Sequence, residues 1–278
     1  MTREMAEHPA AGIELLRALA AEGERIFSTS RARELGPAAG LSSAYVRQAL
    51  HYLHQAGWII RLKKGLYALG SAVPGVMPVH EYEIAMTLVE PAAISHWSAM
   101  SYHSLTDQIP RTVFVLTTSE ASLPRAANGA HGKGRGLRTI AGTNYRFVRV
   151  KPERFFGTTR VWIAESRVTV TNVERTLVDG LNMPQYCGDF SEVLHAFEVR
   201  GQDIDVVRII DYALRLGAAT AKRLGWVLES QGVPESKLEG LAALPVTSYR
   251  TLDPSGPRKG PRNRHWMIQE NLPGSIGT

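Results

Sequence analysis

Residues 28–69 read STSRARELGPAAGLSSAYVRQALHYLHQAGWIIRLKKGLYAL, and the fold of the N-terminal part is decided here. A short helix is expected over residues 29–35, followed by a turn through Gly36, Pro37 and Gly40. A longer helix is expected to start at Ser42 or Ser43, where a serine hydroxyl accepts from the free N–H groups of the first turn. Within it Val46, Ala49, Leu50 and Leu53 recur at helical spacing as a buried stripe. Ser43, Tyr45, Arg47, Gln48 and His51 take the opposite face. Gly57 closes the helix. Two short strands follow, over residues 58–62 and 66–69, joined by Lys63, Lys64 and Gly65 as a basic hairpin. Turn, capped helix, polar outer face and cationic hairpin together form the pattern of a winged helix-turn-helix that reads duplex DNA. A winged helix that docks on protein is the alternative.

The same stretch is cationic. Residues 28–70 hold Arg31, Arg33, Arg47, Arg61, Lys63 and Lys64 against the single acid Glu34, a balance of +5 in a chain of net charge +6. Positive charge gathers again at residues 131–160, eight Lys/Arg to one acid, and at 250–278, five to two. Residues 71–130 and 161–249 sum to −3 and −4. Charge gathered in this way points to a polyanion, because each neutralised phosphate releases counterions.

At 278 residues, 44% hydrophobic and 21% charged, the chain has room for one large or two to three ordinary domains, with a substantial core that needs no disulfide or metal. One cysteine, Cys187, permits no disulfide within the chain and fits a reducing cytoplasm. The opening MTREMAEHPAAG carries acids and no long apolar run, so no secretory signal is expected. Nothing approaches the run of about eighteen apolar residues that spans a membrane.

An opening helix is expected over residues 12–22, with Ile13, Leu16 and Leu19 on one side. Residues 70–78, GSAVPGVMP, read as a linker. The expected division is a winged DNA-binding module over 1–72 and a larger domain over 73–278. Further helices are expected over 81–89, 98–105, 190–200, 205–216 and 219–231. Strands are expected over 92–95, 111–117, 137–140, 145–150, 160–164, 167–170 and 246–252. Thr171 to Glu174 shows the T-x-x-E pattern of a capping box, with Leu177, Val178 and Leu181 following at core spacing. Residues 126–136 read as a glycine-rich basic loop and Glu235 to Lys237 as part of a turn. Trp97, Trp162, Trp226 and Tyr102 read as core, Trp58 as the anchor of the hairpin and Cys187 as a small buried residue. The fold class is α+β: an N-terminal winged helix-turn-helix, then a larger mixed α/β domain.

No catalytic constellation is complete. His96 and His103 lie near Ser95, Ser98, Ser101 and Asp107, but no G-x-S-x-G turn exposes a nucleophile. His51 and His54 lack a second ligand pair, and H-E-x-x-H is absent. Residues 129–134, GAHGKG, lack the spacing and the Ser/Thr of a phosphate loop. The Glu235-Ser236-Lys237 triplet has no buried aspartate on a preceding strand to complete a nuclease site. No enzymatic activity, cofactor or metal is expected.

Four motifs, in order, carry a resemblance: the wing KKGLY (residues 63–67), ISHWSAMSYHSLTDQIPRTVFVLT (94–117), VTNVERTLVDGL (170–181) and LDPSGPRKGPRNRHWMI (252–268). With them the chain resembles the AbiEi family of antitoxins from bacterial type IV toxin–antitoxin systems. The resemblance implies a transcriptional autorepressor whose winged helix binds repeats in its own promoter. It implies a second domain needed for antitoxicity and a nucleotidyltransferase-like toxin as functional partner, opposed without a stable complex. Carried onto this sequence, Ser42, Ser43, Tyr45, Arg47, Gln48 and His51 would meet the major groove. Thr29, Ser30 and Arg31 would meet phosphates at the start of the first short helix, and Arg61, Lys63 and Lys64 would do so at the wing. Lys133, Arg135 and Arg138 would add auxiliary phosphate contacts. The rival reading, a ligand-sensing winged-helix repressor, predicts a pocket with converging polar groups within residues 79–250.

Overall fold

The computed structural model describes residues 4–118 and 137–272. These divide into two compact units: residues 4–89 with 137–145 and 163–166, and residues 90–118 with 146–162 and 167–272.

The first unit opens with α1 (Glu4–Ala21), which starts earlier than expected. It continues with β1 (Ile26–Ser28), α2 (Thr29–Leu35), a 3-10 turn over Gly36–Ala39, α3 (Val46–Gln55), β2 (Ile59–Lys63) and β3 (Leu66–Leu69). A three-residue strand is too short to show alternation in sequence. β1 exists because it pairs antiparallel with β3, Phe27 opposite Tyr67, giving the order β1-β3-β2. Ten residues of helix are not stable in isolation. The Val46, Ala49, Leu50 and Leu53 stripe holds α3 by burial against Leu15, Leu16, Leu19 and Phe27. The turn between the short helices is tight: a Cβ at Gly36 would lie 3.0 Å from Val46 Cγ2, and the Leu41 N–H donates to the Gly36 carbonyl at 2.8 Å.

One expectation about α3 fails. The helix begins at Val46, after a turn over residues 43–45, and no side chain caps it. The Ser42 carbonyl, rather than a serine hydroxyl, takes the Tyr45 and Val46 N–H groups at 2.9 and 3.2 Å. Val73 is buried in this core and Val76 packs on it, so the segment over residues 70–78 runs along the module. α4 (Glu81–Leu88) follows, its first turn capped by the His80 ring.

The second unit holds β4 (Ala92–Ile94), α5 (His96–Tyr102) and β5 (Thr112–Thr117). After β6 (Leu137–Ile140) come β7 (Thr143–Arg149), β8 (Thr158–Ile163) and β9 (Ser166–Thr171). β7, β5, β4, β9 and β8 lie side by side in that order; β4 runs antiparallel to β5 and parallel to β9. The helices are α6 (Val173–Asn182), α7 (Phe190–Arg200), α8 (Val206–Leu216), α9 (Ala218–Ser230) and α10 (Glu235–Ala242). Three two-residue strands end the described chain: β10 (Arg250–Thr251), β11 (Arg262–Asn263) and β12 (Ile268–Gln269). The fold is α+β.

α6 is the centre of this unit, with all eight residues from Glu174 to Leu181 buried. Its cap is Asn172, whose side chain accepts the Arg175 N–H at 2.9 Å. Thr171, the expected cap, is one residue early and instead shares a hydrogen bond with the Thr176 hydroxyl. Arg175 and Asp179 form an ion pair at 2.9 Å with each side chain 1% exposed. The Arg175 guanidinium also donates to the carbonyls of Arg154 and Phe156 and lies over the Phe156 ring. The VTNVERTLVDGL motif is therefore a folding device: its charged pair sits inside the core.

Three other readings are corrected. Glu235 to Lys237 open α10 rather than lying in a turn; Pro234 precedes the first helical turn, and Leu238 and Leu241 bury its inner face. Trp162 is 67% exposed and Tyr102 38% exposed, so neither is core. Trp162 stands outside on β8 with the Arg167 guanidinium over its ring. Residues 126–136 lie outside the described residues.

Candidate nucleic-acid interface

The outer face of α3 is built by elimination. With Val46, Ala49, Leu50 and Leu53 turned inward, Arg47, Gln48 and His51 are left exposed. Tyr52, which pattern reading passed over, joins them at 53% exposure. The Gln48 amide donates to the Tyr52 hydroxyl at 3.3 Å, one turn along the helix, and the His51 and Tyr52 rings are 6.0 Å apart. The i, i+4 spacing of Gln48 and Tyr52 is the sequence signal for that pair. Ser42 and Ser43 are exposed ahead of the helix, and Tyr45 is half-buried against the core.

α2 begins as its sequence dictates. The Ser28 side chain accepts the Arg31 N–H at 3.1 Å, and the Ser28 and Ser30 hydroxyls are 2.6 Å apart. The wing is tied to this helix start, because the Thr29 N–H donates to the Gly65 carbonyl at 2.9 Å. Gly65 holds φ +76, the left-handed conformation that the two-residue turn Lys64–Gly65 requires.

The cations of this module do different things. Arg31 is caged by carboxylates: Glu24 at 2.6 Å, Glu34 at 3.0 Å, and Glu22. Hydrogen bonds from Glu24 and Glu34, with the charge of Glu22 behind them, push its pKa above the ordinary arginine value. Its charge is cancelled where it stands. Lys63 reaches back to α4, its Nζ donating to the carbonyls of Thr87 and Leu88 at 3.0 and 3.1 Å. These are the carbonyls a helix leaves without partners at its C-terminus, where a cation is favoured. A register shift between Arg61 and Lys63 accompanies this placement. Arg33, Arg47, Arg61 and Lys64 remain exposed. In β6 the Arg138 guanidinium donates to the Leu137 carbonyl at 2.7 Å and is half-buried. Lys133 and Arg135 lie outside the described residues.

The serines and histidines of α5 tie the fold together. Ser95 and His96 are fully buried, with Ser95 Oγ 2.8 Å from His96 Nδ1. Burial lowers the His96 pKa and Arg175 lowers it further, against Asp179, which raises it. The Ser98 hydroxyl accepts the Phe114 N–H at 3.0 Å and donates to the Thr112 carbonyl at 3.2 Å, fastening α5 to β5. Among the described residues no three His, Cys, Asp or Glu side chains come together to hold a metal ion, and no helix is long and apolar enough to cross a membrane.

Comparison with known proteins bears on both units. The crystal structure of the RV2827C protein from Mycobacterium tuberculosis is similar to this chain, with a TM-score of 0.67 at 14% sequence identity. The match covers 94% of this chain and 91% of that one, and at this identity the likeness is one of fold. The curated proteins contain no match. A family model, that of the transcriptional regulator AbiEi antitoxin, matches residues 14–70, which hold α2, α3 and the wing. Over that stretch the chain is similar to the AbiEi antitoxin family of transcriptional regulators.

Proposed function

We propose that this regulator is an autorepressor and the antitoxin of a type IV toxin–antitoxin pair, acting in the cytoplasm. Residues 1–72 bind repeats in its own promoter, and residues 73–278 oppose a nucleotidyltransferase-like toxin without holding it in a stable complex. The observation that carries the DNA reading is the exposed Arg47, Gln48 and His51 face on a helix anchored only by its other side, beside a wing with Arg61 and Lys64 in solvent. α3 enters the major groove, where Arg47 suits a guanine edge and Gln48 an adenine edge. Ser42, Ser43 and Tyr45 approach from the turn before α3. Thr29 and Ser30 meet the backbone at the start of α2, and Lys64 and Arg61 meet it at the wing. Arg31 and Lys63 act from behind, by setting the shape of the α2 start and the wing.

Repression follows from occupancy, and affinity comes mainly from phosphate neutralisation. The test is a gel shift of the full chain with the duplex upstream of its own reading frame and with a scrambled duplex. Preference for the first is expected, and equal affinity for both refutes autorepression. Co-expression with the neighbouring toxin gene tests antitoxicity. Growth rescue is expected together with failure of the two proteins to co-purify.

A further inference from the structure

The second unit contains an open cavity of about 320 Å³ between the end of α5, strands β8 and β9, and the ends of α6, α7 and α8. Its apolar wall is made by Val161, Val170 and Val173. Its polar groups are unequally provided for. His103 places Nε2 2.7 Å from the Thr171 carbonyl. A carbonyl only accepts, so Nε2 carries the proton and Nδ1 keeps a lone pair. Arg208 is held by two carboxylates, Asp205 at 3.0 Å and Glu174 at 3.4 Å. Arg200, the last residue of α7, has neither. Its Nε is buried without a hydrogen-bond partner, and among the described residues no carboxylate pairs with its guanidinium.

An arginine N–H withdrawn from water without an acceptor is costly, which makes Arg200 the group awaiting a partner from outside. The first turn of α6 lines the same cavity through Val173 and Glu174, and the Glu174 carboxylate is already engaged by the Asp205 N–H at 3.3 Å and by Arg208 at 3.4 Å, which leaves Arg200 as the cation not matched by an acid. The volume stands near the lower bound for ligand pockets, about 300 Å³, and suits a single ring rather than a dinucleotide. We propose that this cavity binds a small organic oxyanion, a carboxylate or phosphate on a compact apolar body, with Arg200 as its anchoring cation. The valines hold the body, and the His103 lone pair accepts from a hydroxyl or amide on it.

The proposal does not rest on the DNA-binding reading, and its test contains no DNA. The full chain is titrated with benzoate and with phenyl phosphate, followed by amide NMR shifts and by melting temperature. Saturable binding of at least one probe is expected, with shifts at the amides of Val173 and Glu174 and a melting temperature that rises with probe concentration. The tighter probe identifies the head group as carboxylate or phosphate. Arg200→Met should weaken that probe at least tenfold, and Arg200→Lys, which keeps the charge but loses the planar fork, should weaken it less. Both variants are checked by circular dichroism, and should Arg200→Met fail to fold, the lysine variant alone decides. No saturable binding of either probe at millimolar concentration overturns the proposal, as does undiminished affinity in the folded variants.

Discussion

Replacing Lys64 with alanine should weaken binding to every duplex and reduce the slope of log affinity against log salt by about 0.9, the counterion release of one phosphate contact. Replacing Lys63 should leave that slope alone and act on stability. Lys63 Nζ donates two charge-assisted hydrogen bonds, at 3.0 and 3.1 Å, to the last carbonyls of α4, and its side chain is half-buried. A hydrogen bond to a charged group is worth about 1.5–3 kcal/mol, and a cation at a helix C-terminus about 0.3–1 kcal/mol. Partial exposure lowers the sum, and loss of the cap should cost about 1–2 kcal/mol, a fall of a few degrees in melting temperature. The double variant should therefore lose the salt slope of one lysine only, and adding Arg61→Ala should remove about another 0.9. The assay is fluorescence anisotropy of the full chain with labelled duplex over a range of salt concentrations, beside thermal unfolding without DNA. If Lys63→Ala alone flattened the slope by about 0.9 and left unfolding unchanged, the division of labour at the wing would be wrong.

Arg47→Ala should cost about 1–3 kcal/mol on the preferred duplex and little on others, so base preference should relax; competition gel shifts read this, and a uniform loss on all duplexes refutes a base-edge role. Asp179→Ala should destabilise the second unit by about 3–5 kcal/mol, because it strands the buried Arg175 charge. Urea unfolding measures this, and a loss under about 1 kcal/mol counts against the ion pair. His96 and His103 both have pKa values lowered chiefly by burial, so the unfolded chain takes up protons that the folded chain refuses. Stability should be full above the unfolded histidine value, about 6.5, and fall as pH drops through it, by at most about 1.4 kcal/mol per pH unit for each histidine. His96→Gln should make that fall shallower; an unchanged pH profile refutes the contribution of His96.

Much of the fold is legible wherever one short-range rule decides. α2 is legible because Ser28 caps it and Gly36 follows it. α7 matches its expected bounds because Asp189 caps one end and Gly201, at φ +53, stops the other. Features decided by distant partners are not legible. β1 is a strand only through β3, which lies about forty residues further along the chain. Asn172 and Thr171 are both good caps, and only the backbone at the end of β9 selects Asn172. Trp162 is as apolar as any core residue, but period-two alternation on β8 turns it to the solvent side.

The candidate interface repeats this lesson in its charges. Counting lysines and arginines assigns residues 28–70 a balance of +5 and treats the six cations alike. Folding separates them. Glu22 and Glu24, which precede the counted window, cage Arg31. Thr87 and Leu88, which follow it, take up Lys63. Apart from Glu34, which lies inside the window and also holds Arg31 at 3.0 Å, the groups that take up these two charges are supplied by segments outside the stretch that carries the DNA-reading pattern. What reaches solvent is Arg33, Arg47, Arg61 and Lys64. A cation already holding a carboxylate or a helix end must surrender that partner before it can take a phosphate, so it adds little to association. On the proposed reading the free charges should therefore set affinity and its salt dependence, whereas the caged ones fix where the start of α2 and the wing stand. Substituting a caged cation should alter the geometry of recognition before its charge balance.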